Sequence, residues 1–134
     1  MPSFDVDREQ VNLFRVEDRY LFKQYFEQDD LFAKLRRYYN EDDYRFEVPQ
    51  EDIADVQDLL EAYFYAPHIV DEPEDFCVVH RKYVEHPDVL FKASVLQRSQ
   101  GDYHVFLMKD ELSVDQAVHN GAARLEDTGI EFMF

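Results

Sequence analysis

Excess negative charge is the feature that most limits how this chain can fold. Thirty of its 134 residues are Asp or Glu against fourteen Lys or Arg, a formal net charge of −16, yet 46% are hydrophobic and 16% aromatic. Disordered acidic chains are poor in aromatic residues, so this composition predicts a folded protein. The apolar residues must form a core, and the carboxylates must coat its surface.

Length and element pattern predict one domain of the α/β class. A chain of this size is typical of a single globular domain, here residues 1–134. From Tyr44 onward, strand-like and helix-like stretches alternate, which predicts a mixed or largely parallel sheet with about four helices. An antiparallel hairpin in the C-terminal half would make the fold α+β instead.

Four elements are predicted before residue 68. Residues 11–16 alternate as a strand, and residues 17–39 carry an apolar stripe at helical spacing, with a second helix starting at Asp29 as the alternative. Residues 44–48 alternate as another strand. A helix then runs from Pro49 to Pro67, and its buried stripe is Ile53, Val56, Leu60, Tyr63 and Phe64.

The C-terminal half contains one ambiguous segment. Residues 76–83 and 103–108 predict strands. Residues 89–100 fit a helix closed by Gly101, which we expect, but they also fit a strand with a hairpin turn at 99–102. Ser113 and Gln116 have capping-box spacing and predict a helix start, with its end at Asn120 and Gly121. Residues 130–134 alternate as a last strand.

The balance of charged residue types resembles that of cytosolic proteins from salt-loving archaea. Nine arginines outnumber five lysines, and 17 aspartates exceed 13 glutamates. Molar salt shortens the Debye length to about 3 Å and screens repulsion among the carboxylates. The sequence shows neither an apolar run of roughly 18 residues nor a signal peptide. A halophilic, cytoplasmic protein without membrane association is therefore expected.

One cysteine and five histidines are the residues that would carry metal or nucleophilic chemistry. Cys77 lies in an apolar run typical of a core, although His80 could serve it as a base. The histidines form no metal-ligand motif, so neither a metal nor another cofactor is predicted, and nucleotide-binding loops are absent. A small enzyme with a site near His80, Lys109 and Asp110, at the end of a predicted strand, is kept as an alternative.

Three stretches of this acidic chain lack any carboxylate: residues 31–40, 76–84 and 89–101. They hold seven of the fourteen cations. They are either core elements or parts of one basic patch that binds RNA or another anionic ligand, since arginine and tyrosine combine charge with stacking. The predicted binding residues are Arg36, Arg37, Tyr38, Tyr39, Arg81 and Lys82.

The last predicted strand indicates a route to self-association. Ile130, Phe132 and Phe134 fall on one face of it. A strand at the end of a sheet leaves an open ladder edge. We therefore expect a homodimer through this edge, with burial inside the monomer as the alternative.

No motif specifies a reaction, so the sequence favours a non-enzymatic binding or assembly protein. Two alternatives remain open. One is an RNA- or nucleotide-binding module that uses the Arg36/Arg37 and Arg81/Lys82 region. The other is the small enzyme near His80, Lys109 and Asp110.

Overall fold

A computed structural model describes residues 8–81, 88–132 and 134. The elements of the first half are β1 (Glu9–Val16), β2 (Arg19–Phe22), α1 (Asp29–Leu35), β3 (Tyr39–Asn40), β4 (Arg45–Pro49), α2 (Ile53–Ala62) and β5 (Tyr65–Val70). Those of the second half are β6 (Cys77–Arg81), α3 (Asp88–Lys92), β7 (Ser94–Gln100), β8 (Tyr103–Met108), α4 (Glu111–His119), β9 (Ala123–Arg124) and α5 (Leu125–Thr128). Single 3₁₀ turns cover Arg36–Tyr38, Gln50–Asp52 and Pro73–Phe76.

The strands form two sheets. The first has the order β3-β4-β2-β1-β5, in which β1 and β5 are parallel and the other pairs are antiparallel. The second has the order β7-β8-β6-β9 and is antiparallel throughout. The predicted mixed α and β class is confirmed, and β7 with β8 forms the antiparallel hairpin that the sequence left as an alternative.

Three hydrophobic clusters separate four layers in the order helices, sheet, sheet, helices. Val11 and Leu13 of β1 face a cluster covered by α1 and α2. Phe14 of β1 faces the opposite way, into a cluster shared by both sheets. Phe106 of β8 faces a third cluster beneath α3 and α4. Because side chains alternate along the inner strands, both faces of each sheet are buried. Each large apolar side chain buried in this way contributes about 1.5–3 kcal/mol to folding stability.

The helix predicted over residues 17–39 is wrong in its first half. Glu17, with a φ of 58°, lies in the turn that joins β1 to β2. Tyr20, Leu21 and Phe22 are all buried, because β2 lies inside the first sheet with clusters on both faces. A run buried on both sides has no strand alternation, so it resembles a helical stripe. The alternative start at Asp29 matches α1.

Two other helix predictions also change at their boundaries. The helix predicted to end at Pro67 ends at Ala62, and Pro67 lies in the outer strand β5, where a missing N–H is tolerated. Residues 94–100 form a strand rather than the expected helix, which is limited to α3. Ser113 does not cap α4; instead it is buried, and its N–H donates to the capping Asp110 Oδ1 at 2.7 Å.

The strand predicted over residues 130–134 is not formed at the described positions. Ile130, Phe132 and Phe134 have no regular structure and pack half-buried at the margin of the cluster between the sheets. The rings of Phe132 and Phe134 meet edge to face, with centroids 4.9 Å apart. Their hydrophobic spacing therefore reflects packing of an irregular tail, which a two-residue period cannot distinguish from a strand.

Candidate functional site: an aromatic groove beside α3

A groove lies where the edge of the first sheet meets α3. Its volume is about 490 Å³. We call it the aromatic groove, and its lining residues are Lys23, Gln24, Tyr25, Tyr39, Tyr44, Phe46, Phe91 and Lys92. Segments on either side of α1 contribute to it together with α3, so only the folded chain assembles it.

Exposed aromatic rings line this groove. Tyr25 is 82% exposed, Tyr44 65% and Phe91 46%. Phe46 is buried beneath them and packs on Tyr39, with ring centroids 4.9 Å apart. Three large apolar side chains in water at one place mark a binding surface, since scattered exposed residues need no explanation but a cluster does.

The backbone of Tyr44 positions its ring at the groove in an energetically unfavourable conformation. Its φ is 53°, in the left-handed region that bulky residues rarely adopt. The preceding turn is fixed because Asn40 Oδ1 accepts from the N–H groups of Asp42 and Asp43 at 3.0 and 3.2 Å. Backbone strain of this kind is often retained at binding sites.

Two lysines supply the positive charge of the groove. Lys23 Nζ donates to the carbonyl oxygens of Phe91 and Ser94, at 3.4 and 3.3 Å. Burial lowers the pKa of this ammonium, and the positive charge of Lys109 lowers it further. Lys92 approaches Asp88 only at 4.0 Å, with both side chains largely in water, so that pair contributes little. Both lysines therefore favour an approaching anion.

A second recess, the polar cleft, adjoins the aromatic groove and shares Lys23, Tyr44 and Phe91 with it. Its volume is about 420 Å³. Arg45 crosses it, donating through a terminal nitrogen to the carbonyl of Val95 at 3.2 Å. Among the buried side-chain polar atoms of the described residues, Arg45 Nε is the one without a hydrogen-bond partner.

Carboxylates are distributed unequally between the two recesses. Asp42 and Asp43 line the polar cleft, and Asp43 lies 3.5 Å from Arg45. Thirty of the 134 residues are acidic, yet none of the eight residues that line the aromatic groove is. The charge pattern thus directs an anion to the Lys23 and Lys92 end, away from the two aspartates.

The predicted Arg36–Tyr39 site contributes one residue to this groove. Tyr39 lines it, whereas Tyr38 is buried and its hydroxyl donates to Asp52 Oδ2 at 3.0 Å. Burial raises the pKa of Tyr38, and the hydrogen bond with Asp52 raises it further. The Arg37 guanidinium lies over the Tyr38 ring, 4.6 Å from its centroid. Tyr38 therefore links core and surface and presents no free face for stacking.

Two of the acid-free stretches meet at the aromatic groove, through Tyr39 and through Phe91 with Lys92, but the arginines of the predicted site lie apart. Arg36 and Arg37 follow α1 beside the first sheet, and Arg81 ends β6 in the second. Lys82 lies outside the described residues. Lys34 is held by Tyr63, whose hydroxyl accepts from Nζ at 3.0 Å. The six-residue binding site therefore stays a prediction without a shared pocket among its described members.

The alternative enzyme site is divided between the two ends of β8. His80 pairs in register with His104. Lys109 and Asp110 follow the other end, five residues along, which is roughly 16 Å of strand. Asp110 caps α4, and the Lys109 carbonyl accepts from Asn12 Nδ2 at 3.1 Å. Asp110 therefore has a structural role, whereas the contact of Lys109 is made by its backbone.

Cys77 is enclosed by the core. Its thiol contacts the Pro73 carbonyl oxygen at 3.5 Å. Burial raises its pKa far above the ordinary range, and the charges of Glu74 and Asp75 raise it further. The thiolate needed by a nucleophile is therefore suppressed. Within residues 8–81, 88–132 and 134, no three His, Cys, Asp or Glu side chains converge on a metal position.

Sequence reasoning missed most of the groove. Residues 23–25 were assigned to a helix and Tyr44 to a strand, so neither was examined as exposed. The absence of carboxylates from residues 89–101 was a usable signal, because this stretch contains Phe91 and Lys92, which line the groove.

Comparison with known proteins gives no assignment: no protein-family model, no characterised protein and no solved structure matches this chain. No helix in the part of the chain that the structure describes is long and apolar enough to cross a membrane.

Proposed function

We propose that this chain is a non-enzymatic binding protein whose aromatic groove takes a small anionic ligand with a planar ring, of the nucleotide class. The observation that carries the proposal is the groove's lining, in which exposed rings and two lysines occur together without a carboxylate. On a chain of net charge −16, a recess that combines three exposed rings with two lysines and no carboxylate favours an anionic ligand.

Different side chains would recognise the planar ring of the ligand and its negative charge. Tyr25, Tyr44 and Phe91 offer faces on which a base can stack, a contact that contributes about 1–3 kcal/mol per base. Lys23 and Lys92 would receive the phosphate. The aspartates of the polar cleft would repel it, which sets the direction of the ligand in the groove.

The size of the groove favours a small molecule over a polymer. Small-ligand pockets are about 300–1,000 Å³, and a volume of about 490 Å³ falls within that range. A nucleic acid would need a basic track extending past the groove. The chain's surface is acidic overall, and the Arg36/Arg37 and Arg81/Lys82 region is proposed only as the alternative site for RNA.

A cytoplasmic location in a cell with molar salt belongs to this proposal and is supported by the charge balance. High salt weakens phosphate contacts, so stacking would supply most of the affinity. We also propose a homodimer, although the strand expected at its interface is not formed at residues 130–132 and 134.

Titration calorimetry in molar KCl tests the ligand. The probes are adenosine 5′-monophosphate, adenosine, and ribose 5-phosphate, which has the phosphate but no base. We expect adenosine 5′-monophosphate to bind best, adenosine more weakly and ribose 5-phosphate least, with no product formed from any of them.

Paired variants locate the site. Tyr25→Ala should weaken adenosine 5′-monophosphate binding about ten-fold, the equivalent of one lost stack. Phe64→Ala, at a ring that is 67% exposed and lies outside the groove, should leave adenosine 5′-monophosphate binding unchanged. Lys92→Glu should weaken binding several-fold, while the Arg36→Glu/Arg37→Glu double variant should not.

Absence of binding by all three probes at millimolar concentration would refute the proposal. Binding of a single-stranded oligonucleotide that is lost in the Arg36→Glu/Arg37→Glu variant, with none of adenosine 5′-monophosphate, would replace it by the RNA alternative.

A further inference from the structure

Lys23 lies between the aromatic groove and the polar cleft and lines both of them. It follows β2 in a segment without regular structure, and its side chain reaches the corner between α3 and β7. There, Nζ donates to the carbonyl oxygens of Phe91 and Ser94, at 3.4 and 3.3 Å. A ligand in either recess therefore meets the Lys23 side chain.

No carboxylate neutralises this amine by direct pairing in the part of the chain that the structure describes. The ion pairs of the described residues do not include Lys23. Asp43 of the polar cleft pairs with Arg45 instead, at 3.5 Å. The charged groups around Lys23 are Lys92 in the groove, Asp42, Asp43 and Arg45 in the cleft, and Lys109 at the end of β8.

The surroundings of Lys23 are those of a nucleophilic lysine. Lysine attacks a carbonyl carbon only as the neutral amine, and proteins favour that form by desolvating the amine or by placing another cation near it. Both conditions hold at the half-buried Lys23, where burial and then the charge of Lys109 lower the pKa. Phe91 and Ser94 accept from two of its N–H bonds, so the lone pair of the neutral amine takes the remaining position on nitrogen.

We propose that Lys23 forms an imine with an aldehyde ligand of the aromatic groove, namely a planar ring aldehyde that carries an anionic group. The ring stacks on Tyr25 and Phe91, and Lys92 meets the anionic group because Lys23 is used by the covalent bond. The inference rests on the proposed function, since it takes the same groove to hold a planar anionic ring, and it adds a covalent bond to that site.

Imine formation is balanced by the amine and the aldehyde alone. The Nζ lone pair attacks the aldehyde carbon, the C=O π electrons move to oxygen, and a proton passes from nitrogen to oxygen to give a carbinolamine. The hydroxyl then leaves with the second proton of nitrogen as water, and the C=N bond forms. Water reverses the reaction, so the protein binds and releases the aldehyde unchanged, as a non-enzymatic binding protein does.

Reductive trapping with pyridoxal 5′-phosphate tests the imine. This probe is a planar ring aldehyde with a phosphate, and borohydride reduces its imine to a stable secondary amine that peptide mass spectrometry assigns to a residue. In molar KCl near neutral pH, we expect Lys23 to be labelled about ten-fold faster than Lys34 or Lys92. Peptide mapping also separates Lys23 from the N-terminal amine, which titrates near about 8 and reacts with aldehydes by itself.

Companion measurements connect the reaction to the groove. Pyridoxal, which lacks the phosphate, should label Lys23 more slowly, and glyceraldehyde 3-phosphate, which lacks the ring, more slowly still. Adenosine 5′-monophosphate should protect Lys23 several-fold without protecting Lys34, which lies outside the groove. Tyr25→Ala should slow the labelling of Lys23 several-fold, whereas Phe64→Ala, outside the groove, should not.

The outcomes separate the imine from the nucleotide proposal. Labelling of Lys23 no faster than that of Lys34, or preferential labelling of Lys92, would overturn the imine. Binding of adenosine 5′-monophosphate without a Lys23 adduct would overturn the imine alone and leave the proposed function intact. A protected, ring-dependent Lys23 adduct would support both, and a Lys23 adduct without any binding of adenosine 5′-monophosphate would support the reactive lysine and overturn the nucleotide class.

Discussion

Tyr44 shows how a single residue can be retained for binding rather than stability. A left-handed backbone costs a bulky side chain about 1 kcal/mol or more, whereas asparagine tolerates it. Tyr44→Asn should therefore raise the free energy of unfolding by about 1 kcal/mol while it weakens adenosine 5′-monophosphate binding. Urea unfolding and calorimetry measure the two effects.

Phe64 provides the matched control for Tyr44. It is exposed, its φ is 67°, and it lies outside the groove. Phe64→Asn should also be stabilising, less so because the Arg8 guanidinium, 5.6 Å from the ring centroid, loses its contact. It should leave binding unchanged. A clear loss of stability in both variants would show that these rings support the fold.

Cys77 should be inert in the folded protein. Because burial raises the pKa of its thiol, almost no thiolate forms near neutral pH. A disulfide reagent such as dithionitrobenzoate should modify Cys77 only after unfolding in urea. Rapid modification of the native protein would restore the nucleophile interpretation.

At the scale of elements, one leucine of α1 and one of α2 attach these helices to the first sheet. Leu35 and Leu60 are both fully buried against the first sheet. Replacing either by alanine should cost about 2–5 kcal/mol in thermal or urea unfolding. Leu112→Ala, on an exposed position of α4, should cost almost nothing. Equal costs at all three positions would contradict the layer assignment.

Variants of Asp110, at the start of α4, distinguish a helix-capping role from a role as a catalytic acid. Asp110→Ala should cost about 1 kcal/mol because the Ser113 N–H loses its acceptor, and Asp110→Asn should restore most of that, since asparagine caps equally well. Chemical unfolding measures both variants. A neutral effect of Asp110→Ala would mean that the cap contributes nothing and would reopen the question of a chemical role.

Strands buried on both faces were predictable when they were long enough. β1 and β8 each alternate between two clusters and were recognised, whereas β2 has only four residues and its apolar run continues at helical spacing into α1. The predicted stripe placed α2 through Val56 and Leu60, but Phe64, which it counted as buried, lies beyond the helix and is 67% exposed. The groove was harder still to predict from the sequence. The exposure of Tyr25 and Phe91 depends on which distant segments pack together, and a local sequence pattern does not contain that information.

At the scale of the whole molecule, net charge should control stability. Carboxylates spread over the surface repel one another, and salt screens that repulsion. The melting temperature should rise markedly from low to molar KCl. A melting temperature that stays flat or falls over this range would remove the halophilic interpretation.

The position of β1 has a consequence for synthesis on the ribosome. Residues 9–14 of this strand pair with β5, so Glu9 must wait for its partner Tyr65 until more than fifty further residues have been synthesised. Phe14 also waits for β6 to β8, which supply the opposite wall of its cluster. Distant pairings form late and slowly. The emerging chain therefore exposes this apolar strand through most of translation. During that time, the carboxylates of the rest of the chain repel neighbouring chains and so oppose aggregation.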